Sequence, residues 1–201
     1  MDEATELPDE VMEGAPAVLA PSAAAWRGWL DAHAATAPAA WLVMARSRSA
    51  DGEGHVSYED AVRQALCHGW IDSVVRPRDD TTRYQRFSPR NPRSTWVRSN
   101  RQRVEQLIAS GEMAPAGMAL VEAAKASGTW DLLADVEDGI VPDDVQAALD
   151  AVPEAAAHFA AFPPSARLQI LIWIVTAKKP ETRRTRIATT VDKATRNERA
   201  Q

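Results

Sequence analysis

Residues 66–100 read LCHGWIDSVVRPRDDTTRYQRFSPRNPRSTWVRSN, and the fold turns on how this stretch is divided. Trp70 to Val75 is rich in β-branched and aromatic residues and predicts a strand. Asp79-Asp80-Thr81-Thr82 supplies a turn, and Tyr84-Gln85-Arg86-Phe87 alternates enough to return antiparallel. Ser88 to Ser94 is a proline-bracketed loop. Ser94 or Thr95 can cap the helix that follows, with Val97, Val104, Leu107 and Ile108 near one face and Gly111 at its end. The stretch also concentrates Arg76, Arg78, Arg83, Arg86, Arg90, Arg93 and Arg98 among aromatic residues. A core does not tolerate so many guanidinium groups without partners. A solvated coil does not need the aromatics. The mixture predicts a surface where rigid aromatic walls and arginines meet something anionic.

Upstream, Ser22 is a plausible N-cap for a helix from about Ala23 to Ala35, with Trp26, Trp29, Leu30 and His33 at i, i+3, i+4 and i+7. Trp41 to Ala45 is short and apolar and predicts a buried strand, and Asp51-Gly52-Glu53-Gly54 a turn. Ser57 starts a helix with Asp60 three positions on, Ala61, Val62, Ala65 and Leu66 inward and Gly69 just past its end. Residues 1–20 are rich in alanine, proline and acid, and predict a flexible tail.

Downstream, Pro115 opens a helix with Met118, Val121 and Ala124 inward and Gly128 at its end. Trp130 to Gly139 reads as an acidic linker. Pro142, Pro153 and Pro180 sit at helix starts, and Pro163-Pro164-Ser165 breaks and recaps. The helix from Ser165 is apolar on most sides, and the last helix is basic, with Ile187 and Val191 inward. The expected fold is α+β: a small, mostly antiparallel sheet with flanking helices, followed by a helical C-terminal subdomain. Its expected parts are a tail at 1–20, an α+β module at 21–139 and a helical module at 140–201.

The 201 residues carry a net charge of −5, which hides alternating blocks. Residues 1–60 and 111–168 are acidic, and 61–110 and 169–201 basic. The basic blocks complement the acidic ones within the fold or converge on an anion. A single cysteine permits no internal disulfide and suits a reducing compartment. The N-terminus lacks the basic start and apolar run of a secretory signal. The longest apolar run, Leu168 to Ala177, is too short to span a membrane. These features lead to a cytoplasmic expectation.

Three motifs, ALCHGWIDS (Ala65 to Ser73), RFSPRNPRSTW (Arg86 to Trp96) and AKKPETRRTRI (Ala177 to Ile187), resemble the bacteriocin-protection, YdeI/OmpD-associated family. The resemblance runs from about Trp41 to Arg196. It implies that residues 141–196 form that family's helical module and that the N-terminal half is similar to the small α+β module often paired with it. It also implies a link to antimicrobial-peptide resistance or to a porin, and it transfers no catalytic residue. A periplasmic placement does not fit the N-terminus. The chain departs from the pattern at His68, where an aromatic residue is expected, and at Thr185, where a basic one is.

Several residues could carry chemistry. Cys67 beside His68 invites a thiolate–imidazole reading, although adjacent helical residues point about 100° apart and a lone cysteine on an apolar face packs in a core. Asp72 is a candidate general acid or base, or the ion-pair partner of Arg86 or Arg90. Arg90, Arg93 and Ser94, at the expected head of a helix, could hold a phosphate or carboxylate, with Arg86 nearby and Trp70 and Trp96 as aromatic walls. Lys178, Lys179 and Arg183 flank Pro180 at another helix start, where an anion or nearby carboxylates would relieve their opposition to the helix dipole. The four histidines are widely spaced, so no metal site is expected, and no phosphate-loop, dinucleotide or nucleophile-elbow pattern is present, so no cofactor is. An acidic chain with no reader motif argues against nucleic acid. The leading reading is an accessory or stress-resistance protein that binds a small anionic or aromatic molecule, or a partner, at the Arg90–Trp96 loop. The alternatives are an enzyme using Asp72 in the same pocket and a protein-interaction module working through the basic last helix.

Overall fold

A computed structural model describes residues 3–46 and 54–201. Its elements are β1 (Thr5–Met12), β2 (Ala15–Leu19), α1 (Ala23–His33), β3 (Ala40–Ala45), α2 (Tyr58–Cys67), β4 (Trp70–Pro77), β5 (Thr82–Pro89), α3 (Arg98–Ala109), α4 (Pro115–Ser127), α5 (Ala134–Glu137), α6 (Asp143–Asp150), α7 (Pro153–Ala161), α8 (Pro164–Val175) and α9 (Pro180–Thr195). The strands form one sheet in the order β1-β2-β3-β5-β4. Among the described residues the β2–β3 pair is parallel and the other three pairs are antiparallel. The expected α+β fold, with its small and mostly antiparallel sheet and its helical C-terminal region, is the one that forms. The turn expected at Asp51–Gly54 lies, except for Gly54, outside the described residues.

The chain divides into two compact units, Met1–Ser94 with Ser99–Ala124, and Thr95–Arg98 with Lys125–Gln201. In the first, local signals set the helix starts. The Ser22 side chain accepts the Ala25 N–H at 3.1 Å. Ser57 accepts the Asp60 N–H at 3.1 Å and donates its hydroxyl to the Asp60 carboxylate at 2.8 Å. Gly69 ends α2 with φ +75°, a conformation that favours glycine. Phe87 pairs with Ala40 in register, and Trp26 of α1 packs on the Phe87 ring at 5.5 Å, so α1 covers this sheet face. Trp26 donates its indole N–H to the Ala61 carbonyl, and Trp70 donates to that of Ala34, which ties α1 to α2 and to β4.

The opposite face explains a correction. Residues 5–19, expected as a flexible tail, form the β1–β2 hairpin. Glu13 and Gly14 both take positive φ between the pairs Met12↔Ala15 and Val11↔Pro16, which is the geometry of a tight two-residue hairpin turn. Ala15 and Ala17 are buried with Trp41, Val43 and Tyr84 on that face. Small side chains there let β2 lie close to large aromatics, so an alanine-rich composition conceals a core strand.

Glu10 fastens the hairpin. Its carboxylate accepts two bonds from the Arg78 guanidinium, at 2.7 and 2.9 Å, and one from the Tyr84 hydroxyl. The Arg78 bonds and then the Tyr84 bond hold the Glu10 carboxyl down at about 2, against an ordinary value of 4.5. A depressed carboxyl pKa stabilises the fold above the unfolded value, and that stability is lost as pH falls from about 4.5 through about 2. With solvent screening the contribution is about 1–2 kcal/mol. Urea denaturation at stepped pH should therefore show a steeper acid loss for the parent than for Glu10→Gln. Parallel curves would remove Glu10 from the acid transition.

In the second unit, Ile170, Leu171 and Ile174 of α8 pack with Val145, Leu149, Phe159 and Ile187. α8 is thus the centre of the helical core, as its all-round apolar sequence predicts. The segment expected as an acidic linker is part of the same core, because Leu133 and Val136 are buried in it and Asp135, Asp138 and their neighbours line its outer side. In α9, Ile187, Thr190 and Ala194 are buried, and the Ala194 carbonyl lies 2.8 Å from His158 Nδ1 of α7.

Candidate functional site

The residues singled out from the sequence do not gather into one site. Trp70 is 1 % exposed and packs edge-on against Trp29 at 6.0 Å. Trp96 is 2 % exposed and packs on Trp130 at 5.0 Å. Neither indole face is open to a ligand. These residues belong to different units: Trp70, Arg86, Arg90, Arg93 and Ser94 to the first, Trp96 to the second. α3 starts at Arg98 rather than at Ser94 or Thr95, and the Glu137 carboxylate already accepts the Arg98 N–H at 2.7 Å. The helix head expected to hold a free anion is capped by the protein's own acid. Val97 and Ile108 are exposed, while Arg101, Val104 and Leu107 are the buried positions of α3.

The arginines have separate tasks. Arg86 lies 3.9 Å from the Glu13 carboxylate. Arg90 is buried at the end of β5, and burial pulls its guanidinium down to about 10. Arg93 is exposed, and its N–H closes a turn on the Asn91 side chain at 2.9 Å. Asn91 also accepts the Ser94 N–H through its carbonyl, at 3.0 Å. Arg183 forms a two-pronged pair with Asp144 at 2.6 and 2.7 Å, so carboxylates relieve the basic start of α9. Lys178 and Lys179 are exposed beside it.

Cys67 and His68 form no dyad. Cys67 is fully buried, and burial pushes its thiol up. The His68 ring instead bridges the Gln64 carbonyl, 2.9 Å from Nδ1, and the Asp31 carboxylate, 2.7 Å from Nε2. A polar side chain at this position of the pattern is explained by that bridge between α1 and the end of α2. No group of three or more His, Cys, Asp or Glu side chains among the described residues could hold a metal ion.

Asp72 leads to a different constellation. The Tyr58 hydroxyl donates to Asp72 Oδ2 at 2.8 Å. Tyr58 starts α2, and with Glu59, Arg83 and Arg103 it lines a cleft of about 240 Å³ in the first unit. Burial, and then the bond to Asp72, pushes the Tyr58 phenol up to about 12. Tyr58 is therefore a fixed neutral hydroxyl at neutral pH. Arg103 of α3 grips Glu59 through two bonds, at 2.8 and 2.7 Å, and reaches Asn100 with a third at 3.0 Å. That grip holds the Glu59 carboxyl below its ordinary range. Arg83 of β5 bonds the Ala45 carbonyl at 3.3 Å and the Gln85 side chain at 3.1 Å. Its Nη2 has no partner among the described residues, and no carboxylate pairs with it there.

The cleft thus offers one guanidinium edge without a counter-ion, a phenol oriented by Asp72, and a second guanidinium held by Glu59. Such a set can hold a small anion through charge-assisted hydrogen bonds. Asp72 acts behind Tyr58 and does not line the cleft. Sequence reading missed Tyr58, Glu59 and Arg103 because they lie outside the arginine-rich stretch. The available signal was only the two charged positions on the outer faces of α2 and α3.

Residues 18–120 match the family model described as a domain of unknown function, DUF8412. Residues 138–197 match the model described as bacteriocin-protection, YdeI or OmpD-associated. The ALCHGWIDS and RFSPRNPRSTW motifs fall within the first match, and AKKPETRRTRI falls within the second. No curated protein and no solved structure gives a match.

Proposed function

Because the chain belongs to the DUF8412 family and carries a bacteriocin-protection, YdeI or OmpD-associated module, we propose that it is an accessory protein of stress resistance whose α+β unit binds a small anion at the Tyr58–Arg83–Arg103 cleft. The observation that carries the reading is the Arg83 guanidinium, which faces a cleft with no carboxylate partner among the described residues. An uncompensated guanidinium beside an oriented hydroxyl favours a ligand with negative oxygens. Binding takes precedence over catalysis because Asp72, the candidate general acid or base, is engaged by Tyr58 and does not line the cleft. The lone buried cysteine suits a reducing compartment, so the reading extends to a cytoplasmic protein. No helix among the described residues is long and apolar enough to cross a membrane.

Calorimetric titration with phosphate, sulfate, pyruvate and benzoate tests the site. At least one of these should bind saturably, and Arg83→Ala should weaken it by about tenfold or more, the effect of losing one charge-assisted contact. Tyr58→Phe should weaken it less, and Arg93→Ala should leave it unchanged. Unaltered affinity in Arg83→Ala for every anion that binds would exclude this cleft. Removing residues 180–201 is not a clean test of the partner reading, because α9 is part of the helical core.

A further inference from the structure

The Tyr58 hydroxyl has a single proton, and the Asp72 carboxylate takes it in a hydrogen bond of 2.8 Å. The phenol keeps that proton at neutral pH, since burial and then this bond push it up to about 12. Toward the cleft Tyr58 therefore presents an oxygen that accepts and has nothing left to donate. Arg83 and Arg103 share the lining with Tyr58 and lie close enough for their charges to act on its phenol. Glu59, on the same lining, is a carboxylate and also accepts only. Arg103 commits its Nε and Nη2 to Glu59 and bonds Asn100 through Nη1. Arg83 directs its Nε and Nη1 to the Ala45 carbonyl and the Gln85 side chain. Its remaining edge is a cationic donor that stands among acceptors.

Resting on the anion site proposed above, we infer that the ligand class of this cleft is a small oxyanion that carries its own O–H donor, with the negative oxygens on Arg83 and the hydroxyl proton on Tyr58 or Glu59. An anion whose oxygens all accept meets Arg83 well but sets lone pairs against Tyr58 and Glu59, where no hydrogen bond forms. A desolvated acceptor left unpaired is costly. A donor-bearing anion satisfies both sides of the cleft at once. Polar groups placed to pair with a ligand hydroxyl reject the analogue that lacks it more sharply than an apolar pocket rejects a change of shape. Inorganic phosphate keeps a P–OH at neutral pH, and sulfate keeps none. Lactate has a hydroxyl beside its carboxylate where pyruvate, of nearly the same size, has a carbonyl. Phosphate and an α-hydroxy carboxylate share the required chemistry, and both are small against a cleft of about 240 Å³.

Calorimetry and amide NMR shifts on the full chain at neutral pH, with phosphate against sulfate and L-lactate against pyruvate, test the inference. In at least one pair the donor-bearing member should bind about tenfold or more tightly than the other. Tyr58→Phe keeps the ring and removes the acceptor, and it should shrink that ratio to about threefold or less by weakening the donor-bearing member. Asp72→Ala frees the phenol proton for the cleft and should shrink the ratio from the other side, by strengthening the donor-free member more. Unchanged NMR dispersion shows that both variants are folded. A ratio confined to the first pair assigns phosphate, and one confined to the second a hydroxy acid. The inference is overturned if the members of every binding pair lie within about twofold of each other, or if Tyr58→Phe leaves the ratio unchanged. Equal binding that Arg83→Ala still weakens would leave the anion site standing, whereas no saturable binding by any of the four would remove both.

Discussion

Gly117→Ala should destabilise the α+β unit by about 3 kcal/mol or more, in the upper range for overpacking. A Cβ at Gly117 would stand 2.2 Å from the Cys67 carbonyl oxygen, 2.8 Å from its carbon and 2.8 Å from the Leu66 carbonyl oxygen. All three are backbone atoms, so no rotamer change relieves the clash, and α4 must move off the end of α2. The displacement would reach buried Val121 and the contact of Gly69 with Leu120. Gly28 in α1 is the natural control, since a Cβ there meets nothing within 4 Å. Gly28→Ala should stabilise by about 0.5–1 kcal/mol, the difference between glycine and alanine inside a helix. Urea midpoints for the two variants should therefore move in opposite directions. A Gly117→Ala midpoint within error of the parent would show that α4 does not approach α2 so closely.

Trp26→Ala should cost about 4 kcal/mol, within the range for truncating a buried tryptophan. The side chain is fully buried, with Trp29 stacked on it at 5.2 Å and Phe87 tilted against it at 5.5 Å. Its removal opens a cavity between α1 and the sheet and deletes the indole bond to the Ala61 carbonyl. Domains of this size have about 5–15 kcal/mol in total, so the variant should melt far below the parent. Trp26→Phe should recover roughly half the loss, because the ring stays while the N–H and part of the volume go. Circular dichroism melts and urea curves followed at two wavelengths measure both. A loss under about 1 kcal/mol for Trp26→Ala would mean that the aromatic cluster is not the centre of this core.

Trp26 and Gly117 differ in how much of their role is local in sequence. Trp26 was readable in advance, because its spacing with Trp29, Leu30 and His33 marks one face of a helix capped by Ser22. The helix starts at Ser22 and Ser57, the β4–β5 pairing and the apolar α8 were equally plain, since each rests on neighbours in sequence. The β1–β2 hairpin was not, because Ala15 and Ala17 become core residues only opposite Trp41 and Tyr84, which lie far along the chain. The close approach at Gly117 had no local signature at all. Among site residues, Arg83 and Asp72 lie in the arginine-rich stretch, but Arg83 lines a cleft with residues of α2 and α3, and Asp72 accepts from Tyr58 of α2. Trp70 and Trp96 looked like ligand walls and prove to be core, while Tyr58 and Arg103 come from helices α2 and α3.

The sequence by itself determined the α+β class, the helix caps at Ser22 and Ser57, the antiparallel β4–β5 pair, the helical C-terminal third and the resemblance that its residues 138–197 bear out. Those properties depend on capping, periodicity and motif order, all of which act over a few residues. Only the tertiary structure decided which arginines are free. A guanidinium meets its carboxylate wherever the chain brings one. Arg78 finds Glu10, Arg103 finds Glu59 and Arg183 finds Asp144 across 39 residues or more. Arg83 and Arg167 find none among the described residues. Which charges remain for a ligand is the remainder after long-range pairing, and no stretch of sequence contains it.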